Sequence, residues 1–161
     1  MLDPRRFTFS KMLNAVTMKR AVVIEDDVAL RKALSAVLKR RGYEVYEFSE
    51  PKFCPIYFNQ RCACDGAHAC TNIILTDLNM PNTGALEFLQ RKNLNGCKVE
   101  NIAVMSAVWG PEEIETLMRL GCKILEKPFK MSELSAWLQE CESRADFHHH
   151  LSDLEWRSQQ D

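Results

Sequence analysis

The chain has 161 residues, of which 46% are hydrophobic and 27% are charged, and its formal net charge is −1 at pH 7. These values are typical of one globular domain with short extensions, and they argue against a surface that binds nucleic acid or membranes. No apolar run approaches the roughly 18 residues that a membrane span needs, and no signal peptide is recognisable.

We therefore expect a cytoplasmic protein. In that compartment the seven cysteines are free thiols, metal ligands or redox groups rather than a disulfide framework.

The first predicted strand is the apolar, β-branched run RAVVI at 20–24, preceded by an N-terminal extension over residues 1–18. Asp27 is suited to cap the helix that follows, and Gly42 is suited to end it. The helix carries an apolar stripe made of Leu30, Ala33, Leu34, Val37 and Leu38.

The remaining elements alternate between strands and helices. Predicted strands lie at 43–48, 72–76, 101–107 and 122–128, and predicted helices begin near residues 85, 111 and 131. The last helix places on one face Leu134, Trp137, Leu138 and Cys141. This order predicts an α/β fold, a parallel sheet with helices on both faces, whose ligand site lies at the carboxyl ends of the strands.

Polar residues follow four of the predicted strands. Three acids come after the first, an acid after the third, a hydroxyl closes the fourth and an ammonium the fifth: Glu25, Asp26, Asp27, Asp77, Ser106 and Lys127. Crowded carboxylates suit Mg²⁺, while a lysine and a hydroxyl suit phosphoryl oxygens. Each residue alone has a simpler explanation, as a helix cap or a solvated side chain. Their joint occurrence predicts a phosphoryl-transfer site with a carboxylate nucleophile.

The chain resembles the receiver domain of two-component response regulators over about residues 19–143. The resemblance rests on three segments in the family's order, VVIEDDVALRKAL, IILTDLNMPNTGALEFL and ILEKPF. It implies a doubly wound, flavodoxin-like five-stranded sheet of order 2-1-3-4-5. It also implies that Asp77 accepts phosphate, that Mg²⁺ binds Glu25, Asp26, Asp77 and the backbone carbonyl of Asn79, and that Ser106 and Lys127 contact the phosphoryl group.

The resemblance further implies a candidate cis bond between Lys127 and Pro128, and it leaves Asp27 as a helix cap. The expected partners are a histidine kinase or phosphotransfer protein and a downstream protein, for a monomer or weak dimer that is not an enzyme. Ile124 stands where the family often has a switching aromatic residue, so an aromatic switch is not expected there. Residues 144–161 form a tail too short for a DNA-binding domain.

Three other functions compete with this interpretation. One is a phosphatase with an aspartyl-phosphate intermediate, which resembles the haloacid-dehalogenase-like family; Asn79 stands where that family has its second aspartate. Another is a degenerate receiver that serves only as a scaffold, which the complete set of acids argues against. The third is a metal- or redox-sensing variant that uses the cysteines.

Four cysteines lie in one segment between the second and third predicted strands, at about residues 49–71. This segment is interpreted as an insertion or a remodelled second helix, because Asp26 and Asp77 are further apart than the resemblance would imply. Four thiols so close together suit Zn²⁺ or an iron–sulfur cluster, although the one-residue gap between Cys62 and Cys64 fits structural zinc poorly. The candidate ligands are Cys54, Cys62, Cys64 and Cys70, with His68 as a substitute.

The same cysteines have two further interpretations. Oxidation would allow a Cys62–Cys70 or a Cys54–Cys64 disulfide. Cysteine is also a small buried hydrophobic residue, which is the role expected of Cys97, Cys122 and Cys141.

Overall fold

The structure is a computed structural model, and it describes residues 18–54, 57, 64, 68–82, 84–144, 147 and 151–152. The strands are β1 (Lys19–Ile24), β2 (Tyr43–Phe48), β3 (Ile73–Asp77), β4 (Asn101–Ser106) and β5 (Lys123–Glu126). The α-helices are α1 (Val28–Arg40), α2 (Ala85–Leu94), α3 (Pro111–Arg119) and α4 (Met131–Glu142), and a short 3₁₀ turn spans Pro51–Phe53. Across the described residues, no helix is long and apolar enough to span a membrane.

The five strands form one sheet in the order β2-β1-β3-β4-β5, and every neighbouring pair is parallel. The predicted sheet and strand order are therefore confirmed. The order reverses at β1, and in such a sheet the crevice beside the reversal, at the carboxyl ends of the strands, is the usual ligand site.

Alternate strand residues fill two hydrophobic layers, because side chains of a strand point to opposite faces in turn. One layer joins Ala21, Val23, Ile73, Leu75 and Ala103 to the apolar sides of α1 and α4. The other joins Val22, Ile24, Ile74 and Val104 to α2, α3 and two buried cysteines, Cys54 and Cys70. The described residues Cys54 and Cys70 of the cysteine segment thus pack on the face that carries α2 and α3.

Helix α1 begins and ends as predicted, but its buried stripe differs from the expected one. The Asp27 carboxylate accepts a hydrogen bond from the backbone N–H of Leu30 at 2.7 Å, and Gly42 adopts a φ of 86°. Ala33 is exposed, so its predicted place in the core is wrong. Arg31 and Ser35 are buried instead, and the Arg31 guanidinium donates a 2.6 Å hydrogen bond to the backbone carbonyl of Glu25.

The amino ends of the strands are held by a buried arginine and two short pieces of the tail. The Arg20 guanidinium donates to the carbonyl oxygens of Cys70, at 2.7 Å, and Ser152, at 3.3 Å. The side-chain amide of Asn72 donates to the carbonyl of Phe147 at 3.0 Å. These bonds connect β1, the end of the cysteine segment and the tail at one edge of the sheet.

A second polar cluster joins α4 to the turn before β2. The Glu142 carboxylate accepts hydrogen bonds from the Arg41 guanidinium, at 2.7 and 3.2 Å, and from the Tyr43 hydroxyl at 2.9 Å. Burial on its own would raise the pKa of Glu142, but the bonds from Arg41 and Tyr43 outweigh it and hold this pKa below its ordinary value. The ionised carboxylate therefore stabilises the folded chain.

We expect Glu142→Gln to lower the free energy of unfolding by roughly 1–2 kcal/mol at pH 7, because charge-assisted hydrogen bonds are lost. Since the pKa of Glu142 is lowered by folding, its contribution is fully present above the ordinary value of 4.5 and is lost as pH falls below it. The difference between the wild type and the variant should therefore shrink towards acid pH. Urea unfolding at a series of pH values measures it.

The matched control is Glu140→Gln on the same helix, where the side chain is 68% exposed and contacts Arg144 at 3.4 Å. An exposed pair of this kind contributes little, so this variant should unfold like the wild type. Equal losses in the two variants, or a difference that does not depend on pH, would contradict the stabilising role of the ionised Glu142.

Candidate functional site

The carboxyl ends of the strands are fixed by hydrogen bonds that continue the sheet one residue beyond the strands. The backbone N–H of Glu25 donates to Phe48 at 3.0 Å, that of Leu78 to Met105 at 2.8 Å, and that of Lys127 to Ser106 at 2.8 Å. The residues at these ends are therefore held by the sheet itself rather than by free loops, and they converge on one crevice.

Three carboxylates meet in that crevice. Glu25, Asp26 and Asp77 each offer an oxygen atom that lies within 4.8 Å of the oxygens of the other two. Glu25 and Asp77 are buried, with exposures of 1% and 6%, whereas Asp26 is exposed. The structure thus brings together three of the acids predicted from the sequence.

The ammonium of Lys127 lies between two of these carboxylates. Its Nζ atom is 2.8 Å from Oε2 of Glu25 and 3.1 Å from Oδ1 of Asp77. Burial alone would lower the pKa of Lys127, but its two carboxylate partners outweigh burial and raise it. The lysine therefore stays charged and links three strands of the sheet through their ends.

The carboxylates remain short of positive charge despite this lysine. Burial raises the pKa of both Glu25 and Asp77, and the hydrogen bonds from Lys127 offset only part of that rise. Three ionised carboxylates against one ammonium leave two negative charges in excess, which a divalent cation would neutralise. Oxygen donors of this kind are the ligands that Mg²⁺ prefers.

The hydroxyl of Ser106 is buried beside the crevice and is already engaged. It donates to the backbone carbonyl of Val108 at 2.6 Å, and it accepts from the side-chain amide of Asn79 at 2.9 Å and from the Val108 N–H at 3.1 Å. Asn79 is thus tied to the end of β4 by its side chain. Asp27 does not join the acidic group, since it caps α1 as predicted.

Arg31 was not expected near this site. It lies within the predicted apolar stripe of α1, and from the sequence alone we would expect a solvated arginine. Its side chain is instead 2% exposed and donates a hydrogen bond to the backbone carbonyl of Glu25.

The bond between Lys127 and Pro128 is cis, as the resemblance implies. A cavity of about 370 Å³ opens beside Lys127 and is lined mainly by the apolar side chains of Leu30, Ala107, Pro128, Phe129 and Met131.

The described cysteines group differently from the prediction. Among the described residues, the thiols that lie within 4.8 Å of one another are those of Cys64, Cys70 and Cys97. Cys54 is buried in the core outside this group, His68 does not belong to it, and Cys62 lies outside the described residues. Cys97 follows α2, whose end at Gly96 (φ of 68°) turns the chain back towards the cysteine segment.

The three thiols lie at the opposite end of the sheet from the acids. Cys70 precedes β3 and Cys97 precedes β4, whereas Asp77 and Ser106 end these strands. In the structure no disulfide joins Cys54 to Cys64. The hydrogen bond to Cys64 raises the pKa of Cys97 to about 12, burial adds to the rise, and Cys70 and the ammonium of Lys92 act against it.

Comparison with known proteins agrees with the geometry of the acidic crevice. The family model of the response regulator receiver domain matches residues 21–139. The transcriptional regulatory protein PhoP of Escherichia coli (strain K12) is 22% identical over 120 residues, which are 74% of this chain and 50% of PhoP. The transcriptional regulatory protein FlgR of Helicobacter pylori is 29% identical over 113 residues, which are 69% of this chain and 26% of FlgR. The chain therefore spans half or less of these relatives.

A solved structure shares the fold. The chemotaxis protein CheY4 of Vibrio cholerae superposes with a TM-score of 0.61 at 22% sequence identity, over 77% of this chain and 98% of CheY4. At this identity the likeness shows the fold alone, whereas the family model covers well over half of the chain. The chain belongs to the response regulator receiver domain family of two-component signal transduction.

Proposed function

We propose that Asp77 is the phosphoacceptor of this receiver and takes a phosphoryl group from a phosphohistidine of a kinase or phosphotransfer protein. The observation that carries the proposal is the shared lysine: Lys127 contacts both Asp77 and Glu25, within a crevice that already holds three carboxylates. A buried carboxylate beside a fixed ammonium is placed to accept and then stabilise a strongly anionic group.

In the transfer, a carboxylate oxygen of Asp77 attacks the phosphorus of the phosphohistidine. An O–P bond forms as the N–P bond of the donor breaks, and the released imidazole nitrogen keeps the electron pair and is protonated. The fixed ammonium of Lys127 neutralises charge on the phosphoryl oxygens without moving far, because it is already bonded to Asp77.

Receiver domains bind Mg²⁺ at an acidic pocket, and the acids of this chain fit such an ion. We propose Glu25, Asp26, Asp77 and the backbone carbonyl of Asn79 as its protein ligands, with Asp26 a direct one. When bound, the ion would neutralise the charge of the transferred group. The excess of negative charge among the three carboxylates supports this assignment.

Ser106 would connect phosphorylation to the loop that follows β4. Its hydroxyl proton is bonded to the carbonyl of Val108, so donating that proton to a phosphoryl oxygen instead requires the Val108 bond to break. Val108 is 72% exposed. If the Ser106 hydroxyl exchanged the Val108 carbonyl for a phosphoryl oxygen, the conformation of this exposed loop would change. A downstream protein that binds the loop would then distinguish the phosphorylated from the unphosphorylated state.

The proposal extends to partners and location. A histidine kinase or phosphotransfer protein would supply the phosphoryl group, and output would pass through protein contact in a monomer or weak dimer. The proposed location is the cytoplasm, a reducing compartment that suits a chain with seven cysteines. The half-buried Ile124 lies in the layer with α2 and α3, so the response would use the loop after β4 without an aromatic switch.

The first prediction for the acidic crevice concerns the phosphoacceptor. Acetyl phosphate with Mg²⁺ should form an acyl phosphate on the wild type, because a small donor needs only the crevice, and Asp77→Asn should remove it. Mass spectrometry of the intact chain and of its peptides detects the added group. Asp27→Asn is the matched control, since asparagine also caps helices and Asp27 lies outside the acidic group. Unchanged labelling of Asp77→Asn, or a loss in Asp27→Asn, would refute the assignment.

The second prediction concerns competition between Lys127 and the metal ion. Lys127→Met removes a positive charge that is bonded to two of the proposed ligands, so Mg²⁺ should bind about tenfold more tightly, equivalent to about 1.4 kcal/mol. Calorimetric titration at pH 8 measures this change. Lys130→Met serves as the control because Lys130 is exposed in the same loop. Equal Mg²⁺ affinity in Lys127→Met and the wild type would count against the proposed ligand set.

A further inference from the structure

We propose that Cys64, Cys70 and Cys97 form a binding site for Zn²⁺, separate from the phosphoacceptor crevice. The three residues come from two parts of the chain: Cys64 and Cys70 from the cysteine segment, which leads into β3, and Cys97 from the loop after α2. Their thiols lie at the amino ends of the strands, where the phosphoryl chemistry proposed for Asp77 has no use for them.

The spacing of the sulfur atoms fits the ion. All three lie within 4.8 Å of one another, and the sulfurs of Cys64 and Cys97 are 3.8 Å apart. Zinc binds thiolate sulfur at about 2.3 Å, so two sulfurs on one tetrahedral Zn²⁺ are about 3.8 Å apart. One edge of the site already has this length, and the other two need changes of about 1 Å or less.

The backbone around Cys64 favours a sulfur anion. Its sulfur accepts hydrogen bonds from the N–H of Cys70 at 3.3 Å and from the N–H of Lys98 at 3.4 Å. A neutral thiol is a weak acceptor, whereas two N–H dipoles directed at one sulfur stabilise a thiolate, the form that binds metal.

The frame of the site is rigid on two of its sides. The carbonyl of Cys70 is held by the buried Arg20, and the neighbouring Ala69 carbonyl accepts from the N–H of Ser152 at 3.0 Å. On the other side, the N–H of Cys97 donates to the carbonyl of Lys92 at 3.1 Å. An ion bound by Cys64 would fasten the cysteine segment between these two anchors, so that binding energy would add to stability.

Three protein sulfurs define the chemistry of the site. Soft thiolate ligands select Zn²⁺ over Mg²⁺ and Ca²⁺, and the three that the described residues supply leave the fourth tetrahedral position open. The ion that serves Asp77 and the ion proposed here therefore differ in class: oxygen ligands at one end of the sheet, sulfur ligands at the other.

Zinc content and Co²⁺ spectroscopy test the site on the full chain, purified under reducing conditions without chelators. We expect one Zn²⁺ per chain by elemental analysis, and sulfur-to-metal charge-transfer and tetrahedral ligand-field bands when Co²⁺ replaces it. Competition with a chromophoric chelator should show that each of Cys64→Ser, Cys70→Ser and Cys97→Ser weakens Zn²⁺ binding by about 100-fold or more. Cys122→Ser, another half-buried cysteine outside the group, should bind like the wild type.

Two outcomes would overturn the site: a wild type that binds no stoichiometric Zn²⁺ at micromolar free metal, or a Cys97→Ser variant that binds it as tightly as the wild type. Asp77 labelling by acetyl phosphate shows that a cysteine variant is folded. Conversely, Asp77→Asn should keep its Zn²⁺, so failure of the phosphoacceptor assignment and failure of the zinc site are distinguishable. In the wild type, removal of Zn²⁺ by a chelator should lower the midpoint of thermal unfolding, and an unchanged midpoint would count against the anchoring role.

Discussion

The ammonium of Lys127, held between two buried carboxylates, is the contact on which the rest of the acidic crevice depends. It joins residues that are 102 and 50 positions away in the chain, and it limits the cost of placing Glu25 and Asp77 in a buried position. Without a cation, like charges this close would favour protonated acids. The sheet sets the geometry, since Glu25 and Lys127 are each fixed by a backbone hydrogen bond that extends it.

At each end of the sheet, one cationic side chain stabilises buried polar groups of a different kind. At the carboxyl ends, one lysine partly neutralises an excess of carboxylates. At the amino ends, the buried Arg20 donates hydrogen bonds to the main-chain carbonyls of Cys70 and Ser152. Buried polar groups of either kind are costly unless bonded. Each end is therefore ordered by one long cationic side chain that reaches several parts of the chain.

The strands, their order and the acidic crevice were predictable because they rest on periodic patterns and on residues adjacent to strand ends. The burial of Arg31 and the exposure of Ala33 were not, because the buried stripe of α1 is shifted by a contact to the Glu25 carbonyl. The proximity of Cys97 to Cys64 was also not predicted from the sequence. These residues are 33 positions apart, and their proximity depends on how the loop after α2 packs near Cys64, which no local spacing reveals.

Distance decides how the acidic crevice and the thiol group influence each other. Strand β3 has five residues and is therefore about 16 Å long. Two unit charges that far apart interact by about 1 kcal/mol at an effective dielectric constant of 20, and by less once salt screens them. Reversing a two-state population from 1:99 to 99:1 needs about 5.5 kcal/mol. Electrostatic interaction alone therefore cannot couple the two ends of the sheet. Metal bound at the thiols would act by anchoring the cysteine segment. Any influence of that metal on Asp77 would pass through the packing of β3 and β4.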